Sequence, residues 1–195
     1  MEGLAKLNST DWNREYRFGF DYTHITGENL DRILSFLPPN NAQKIALDLG
    51  SGKGQLAREL HERGFSVTGL DLSYEAVKMA RANSDPRDVH YEVADFETDF
   101  SAKFAAADLV TCRFVYAFIE NRQSFLQSVR NLLKADGRFV VVNPLKSSVP
   151  DYKKGIALES RQVHSELADY FEIVDYYVED DDEYFICKQL TDKTA

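Results

Sequence analysis

Gly50, Gly52 and Gly54 alternate with other residues just after an acid, Asp48, that sits near the end of the apolar run Ala46-Leu47-Asp48-Leu49. Glycines at that spacing let the chain turn sharply and let a ligand lie directly against main-chain N–H groups. Asp71 closes a second apolar run roughly twenty residues later, where a carboxylate offers two acceptor oxygens to the two hydroxyls of a ribose. A third acid, Asp95, ends the run Val89 to Ala94. Acids at strand ends beside a glycine-rich bend predict a pocket for a nucleoside-type cofactor at the carboxyl edge of a parallel sheet. A dinucleotide fingerprint, G-x-G-x-x-G, would place its third glycine at position 55. The chain has Gln55 there, and G-x-G-x-G suits a ligand without a pyrophosphate.

The elements that must position these residues alternate along the chain. Strands are expected at 44–49, 66–70, 89–94, 108–112, 138–143, 171–178 and 184–190, from their short apolar runs. Helices are expected from Thr26 to Leu37, where Pro38-Pro39 ends the run, and at 53–63, 122–134 and 157–170. Ser73 is placed to cap a further helix carrying Ala76, Val77 and Ala80. Strand–helix alternation argues for an α/β fold, a doubly wound sheet in three layers. The acidic turn Glu179 to Glu183 links the last two strands closely enough for a hairpin, which makes one strand antiparallel. Asp136-Gly137 reads as a turn. Residues 1–37 are expected to form an N-terminal lid and helix, and 38–195 the main domain, as one domain overall.

The chain has 195 residues, 44% of them hydrophobic and 28% charged, which suits one soluble globular domain. A net charge of −9 disfavours a phosphate-tracking surface, so nucleic acid is not an expected partner. Two distant cysteines, Cys112 and Cys187, form neither a disulfide framework nor a zinc spacing. No apolar run reaches membrane-spanning length and the opening residues lack a signal-peptide core. A cytoplasmic location without membrane association is expected. The sequence carries no reading of oligomeric state.

Five stretches in order carry a resemblance to the class I S-adenosylmethionine-dependent methyltransferases over roughly residues 40–190. They are Asp48-Leu49-Gly50-Ser51-Gly52-Lys53-Gly54, Gly69-Leu70-Asp71-Leu72-Ser73, Val93-Ala94-Asp95-Phe96, Asp108 to Arg113 and Leu132 to Phe139. The resemblance implies a Rossmann-like, mostly parallel seven-stranded sheet and S-adenosyl-L-methionine as cofactor. It implies that Gly50, Gly52 and Gly54 admit the methionine moiety, that Asp48 faces its ammonium and that Asp71 holds the ribose. Asp95 would accept from the adenine amino group, Leu72 and Phe96 would flank the ring, and Cys112 and Arg113 would line the floor beneath the methionine arm. Taken singly, Asp48 and Asp95 are also ordinary turn or helix caps, Phe96 is ordinary core, and Cys112 is a small buried filler.

The stretch Cys112-Arg113-Phe114-Val115-Tyr116 lacks the Asn/Asp-Pro-Pro-Tyr/Phe pattern of enzymes that methylate exocyclic amines, and lacks the Asp of the metal-dependent catechol type. A metal-independent transfer to a small-molecule acceptor is the expected function. A protein or RNA acceptor, or a binding module without turnover, are the alternatives. The N-terminal aromatics around Trp12-Asn13-Arg14-Glu15-Tyr16-Arg17 resemble the opening of small-molecule types such as the thiopurine and tellurite-resistance methyltransferases. Tyr16 and Tyr22 would then close over the cofactor, and Trp12 and Phe20 would wall an apolar acceptor. His24 is a candidate base. Tyr116, Asn143, Lys146 and Tyr152 follow strand ends and are candidates for touching substrate.

Overall fold

The computed structural model describes residues 8–22, 24–39, 43–98 and 100–190. Seven strands form a single sheet: β1 Lys44–Leu49, β2 Phe65–Asp71, β3 Val89–Val93, β4 Ala107–Arg113, β5 Leu133–Pro144, β6 Phe171–Glu179 and β7 Asp182–Gln189. Their order is β3-β2-β1-β4-β5-β7-β6. All pairings are parallel except those of β7, which runs antiparallel to both β5 and β6. The hairpin expected from the acidic turn is therefore present. It turns without a glycine, through Asp180 and Asp181 at φ of 51° and 65°.

The helices are α1 Ser9–Arg17, α2 Gly27–Ser35, α3 Gln55–Glu62, α4 Tyr74–Ala82, α5 Arg122–Leu132 and α6 Ser160–Ala168. The central strands are apolar on both faces because helices cover both faces. On one face Leu47, Leu49, Val110 and Val141 pack with Leu126 and Val129 of α5 and Val163 and Leu167 of α6. On the other, Ala46, Leu109 and Val140 meet Leu30 and Ile33 of α2, Leu60 of α3 and Val77 of α4. Burying each leucine or valine fully is worth about 1.5–3 kcal/mol, so this alternation of faces also fixes strand register.

Element ends depart from the sequence expectation where side chains cap the backbone or pack against it. Thr26 caps α2 by accepting from the Asn29 N–H, and Ser73 caps α4 by accepting from Ala76. Asp136-Gly137 is not an isolated turn but part of an irregular first stretch of β5. There the pairing with β4 slips between Ala107↔Leu133 and Leu109↔Arg138. Gly137 is needed in that stretch, since a Cβ would lie 2.9 Å from the Ala107 carbonyl oxygen. A helix not expected from the sequence, α1, starts at an Asn8/Asp11 capping box.

The chain winds β1 to β2 to β3 in one direction and resumes at β4 on the other side of β1. The crevice between the carboxyl ends of β1 and β4 is thus the topological switch point, where open α/β sheets bind ligands.

Candidate functional site

At that switch point the glycine bend does something other than offer N–H groups. The Gly50 and Ser51 N–H groups both donate to the Leu70 carbonyl, at 2.7 and 2.9 Å, and Gly54 donates to Ser51 at 2.8 Å. Gly52 donates to Asp71 Oδ2 at 2.9 Å. With these donors engaged inside the protein, the bend is not an anion cradle, which fits a ligand without a pyrophosphate. The glycines serve close approach by side chains instead. Gly50 has φ of +76°, and a Cβ there would meet Val115 Cγ2 at 2.0 Å. At Gly52 it would lie 2.9 Å from the Tyr16 hydroxyl. Gly54, expected beside the ligand, borders neither of the cavities over the bend. It packs against Tyr91, whose hydroxyl donates to its carbonyl oxygen.

Two adjoining cavities remain over the bend. The larger, of about 210 Å³, is walled by Leu72, Phe96, Phe118 and Ile119, with Asp71, Asp95 and Glu97 as its carboxylates. The smaller, of about 50 Å³, is bordered by Asp48, Gly52, Lys53 and His24. Tyr16, Tyr22, Gly50 and Arg113 line both.

Asp71 is 7% exposed and already accepts from Gly52 and, at 2.8 Å, from the Ser73 N–H. Burial pushes its carboxyl up to about 6 against the pull of those two bonds. Asp48 is likewise pushed to about 6, first by burial, while the Thr111 hydroxyl that donates to it at 2.8 Å and nearby Arg113 act the other way. Two neighbouring buried carboxylates, each held by donors, are poised to bind hydroxyl and ammonium groups. Asp95 is exposed, and one oxygen accepts from the Glu97 N–H at 3.0 Å.

Arg113, Phe114 and Val115 all reach the larger cavity although they are consecutive. A regular strand would send alternate side chains to opposite faces. Phe114 adopts φ of 58°, and this left-handed residue bends the chain as β4 ends. Its N–H is tied to the Val142 carbonyl at 2.8 Å, and the Arg113 guanidinium stacks 4.2 Å from its ring.

Tyr16 is placed by α1, which is latched to the start of α4. Asn13 Oδ1 accepts from the Ser73 hydroxyl at 2.8 Å and from the Glu75 N–H at 3.0 Å, and Arg17 pairs with Glu75 at 2.9 Å. Trp12 meets the edge of Phe118 with centroids 5.0 Å apart. Burial, then the Asp71 charge, hold the Tyr16 phenol far above its ordinary value, so it stays protonated.

Several candidates lie elsewhere. Cys112 is fully buried in the α5/α6 core layer and lines no described cavity. Its place in β4 points it away from the crevice that Arg113 reaches, and burial raises its thiol. Tyr116 is also fully buried, donates to Glu166 Oε2 at 2.8 Å and borders neither of the two cavities over the bend. Asn143 is buried with its amide unpartnered, and Lys146 pairs with Glu159. The Tyr152 side chain lies outside the described residues. His24 is exposed at the rim of the smaller cavity. Val115, Phe118 and Ile119 were not foreseen as cavity walls, since nothing in their spacing separates them from core residues.

Residues 47–141 match the family model described as a methyltransferase domain. Over that stretch, just under half of its length, the chain is similar to that methyltransferase family, in line with its resemblance to the class I S-adenosylmethionine-dependent methyltransferases. The matched region runs from β1 into β5 and so includes the glycine bend, Asp71, Asp95 and Arg113. The chain is 30% identical over 115 residues to a ubiquinone biosynthesis O-methyltransferase of Idiomarina loihiensis, covering 58% of this chain and 47% of that protein. It is 29% identical over 141 residues to the Nitrosomonas europaea protein of the same name, covering 70% and 58%. The chain thus spans about half the length of the curated relatives it matches. A TehB-like SAM-dependent methyltransferase from Corynebacterium glutamicum shares the fold, with a TM-score of 0.67 at 20% identity over 93% of this chain and 95% of that one. S-adenosylmethionine is the cofactor this similarity implies, and the residues present fit it. An apolar compartment holding buried Asp71 joins a polar one holding Asp48 and Arg113, as a nucleoside with a zwitterionic tail requires. Among the described residues, no helix is long and apolar enough to cross a membrane.

Proposed function

We propose that the protein transfers a methyl group from S-adenosylmethionine to a small-molecule acceptor in the cytoplasm without a metal ion. The observation that carries this reading is a third cavity, of about 460 Å³, that shares Trp12, Tyr22, Phe114 and Phe118 with the larger cofactor compartment. An acceptor there and a cofactor beyond it would meet across the same aromatic residues. Among the described residues no group of three His, Cys, Asp or Glu side chains is arranged to hold a metal.

When bound, S-adenosylmethionine supplies a methyl group on a positively charged sulfur, already a strong electrophile. The protein then has to align, desolvate and accept a proton where one leaves. Asp71 holds the ribose hydroxyls with the lone pairs that Gly52 and Ser73 leave open. Leu72 and Phe96 flank the base, and Asp95 accepts from its amino group. Asp48 takes the tail ammonium and Arg113 the tail carboxylate. Tyr16 and Tyr22 cover the junction of the two compartments and exclude water. His24 borders the smaller cavity and not the third, so it does not face an acceptor held there.

Calorimetry with S-adenosylmethionine and S-adenosylhomocysteine is the first test, followed by formation of S-adenosylhomocysteine from S-adenosylmethionine in the presence of acceptor panels with and without a chelator. Binding of both ligands and chelator-insensitive turnover are expected. Absence of binding by either ligand refutes the reading. Binding with labelling only of protein or RNA in an extract refutes the small-molecule acceptor.

A further inference from the structure

The third cavity is apolar in its walls and acidic in its charge. Trp12, Phe114, Phe118 and Val149 make up much of its apolar surface, while Glu15, Asp21, Asp181 and Asp182 border it and, among the described residues, no lysine or arginine does. Three of those carboxylates have partners. Glu15 lies 3.6 Å from Arg14, Asp21 lies 3.3 Å from Lys53, and Asp181 accepts from the Ser148 hydroxyl at 2.7 Å. The Asp182 side chain, half-buried at the start of β7, makes no hydrogen bond or ion pair among the described residues. Burial pushes its carboxyl up to about 6. The Arg113 charge pulls it back, and Asp180 and Asp181 add to the rise.

A partly desolvated carboxylate in an aromatic-walled space attracts one kind of guest. A cation gains from the charge and from the faces of the rings, whereas an anion would meet like charge from several sides. Resting on the methyl-transfer reading above, we propose that the acceptor is an aromatic or extended apolar molecule bearing a cationic amine, with its apolar body against Trp12, Phe114 and Phe118 and its ammonium toward Asp182. Asp182 is then a specificity-determining residue and takes no part in holding the cofactor.

The test uses three probes of matched shape: 4-phenylbutylamine, 4-phenylbutan-1-ol and 5-phenylpentanoate. Each is titrated into the full chain saturated with S-adenosylhomocysteine. Trp12, the single tryptophan, lines the cavity and reports binding by its fluorescence. The amine should bind about fivefold tighter than the alcohol, the size of one exposed-to-half-buried ion pair, and the acid weakest of the three. The amine's advantage should shrink as salt rises. In Asp182→Asn the amine and alcohol should bind equally while S-adenosylhomocysteine affinity is retained, which also shows that the variant folds. Equal binding of the three probes by the native chain, no binding of any probe, or an amine preference that survives Asp182→Asn overturns the proposal. Failure of the native chain to bind S-adenosylhomocysteine instead overturns the methyl-transfer reading beneath it.

Discussion

Replacing Asp71 by alanine separates a ligand-binding role from a structural one, because the two predict different magnitudes in different assays. In the folded protein the carboxylate accepts from two main-chain N–H groups, Gly52 and Ser73. Stranding both costs about 2–6 kcal/mol, at about 1–3 kcal/mol for each buried donor. The same substitution removes a buried charge. A carboxyl moved from 3.8 to about 6 is destabilising at neutral pH by about two units, or about 3 kcal/mol. The two nearly offset. The free protein should therefore change by between about 1 kcal/mol gained and 3 kcal/mol lost, a fall in Tm of no more than about 12 °C for a chain of this size. Cofactor affinity has no such compensation. Two ribose hydroxyls bonded to a carboxylate are worth about 1.5–3 kcal/mol each, so the Kd for S-adenosylhomocysteine should rise by about two to four powers of ten. Calorimetry gives the affinity and a thermal melt without ligand gives the stability. An Asp71→Ala protein that melts lower but binds S-adenosylhomocysteine within about threefold of the native chain would show that this carboxylate only ties the glycine bend to α4.

Gly50→Ala forces a Cβ to within 2.0 Å of Val115 at a positive φ, so it should cost about 2–4 kcal/mol from overpacking and left-handed backbone together, read as a lowered melting temperature. Adding Val115→Ala should restore the overpacking share and leave the backbone share, a partial recovery that a double-mutant cycle measures. Asp48→Asn should stabilise the ligand-free protein at pH 7.5 by about 1–3 kcal/mol, because the native carboxyl is raised from 3.8 to about 6 and is disfavoured when ionised. That advantage should fall away as pH drops from 6 toward 4, where the native carboxyl takes up its proton in the folded state first; denaturant melts at the two pH values check the sign. Affinity for S-adenosylhomocysteine in the native chain should weaken over the same descent, since Asp48 and Asp71 lose their charge near pH 6, and calorimetry at stepped pH reads it.

What the sequence made legible follows from what local chemistry determines alone. The central strands are continuous apolar runs buried on both faces, and β1 at Lys44–Leu49 has the bounds its run of residues predicts. The acids Asp48, Asp71 and Asp95 sit at the carboxyl ends of β1, β2 and β3 because a run that must be apolar to be buried can end in a carboxylate only where the sheet ends. Helix α1 was illegible for the opposite reason: Trp12 and Tyr16 are its only large apolar residues, and its stability comes from an Asn8 cap and a latch to α4 that is distant in sequence. The spacing of glycines revealed that something approaches the bend but not what. Val115, Tyr16 and Tyr91 fill the space a Cβ would take, and each arrives from a different part of the chain. Cys112 and Arg113 were indistinguishable as neighbours at a strand's end, yet the pleat buries one and turns the other to the crevice, and Phe114 at φ of 58° then brings Val115 to the same side. The hairpin after β6 shows the same limit. Glu179 to Glu183 reads as a solvated acidic turn, and most of it is one. The antiparallel register Pro144↔Asp182 carries two of those acids, Asp181 and Asp182, to the wall of an aromatic cavity, beside the residues that end β5. Where a site is assembled by register and by a backbone outlier, residue type and spacing bound the chemistry available, and the long-range pairing decides which of those residues perform it.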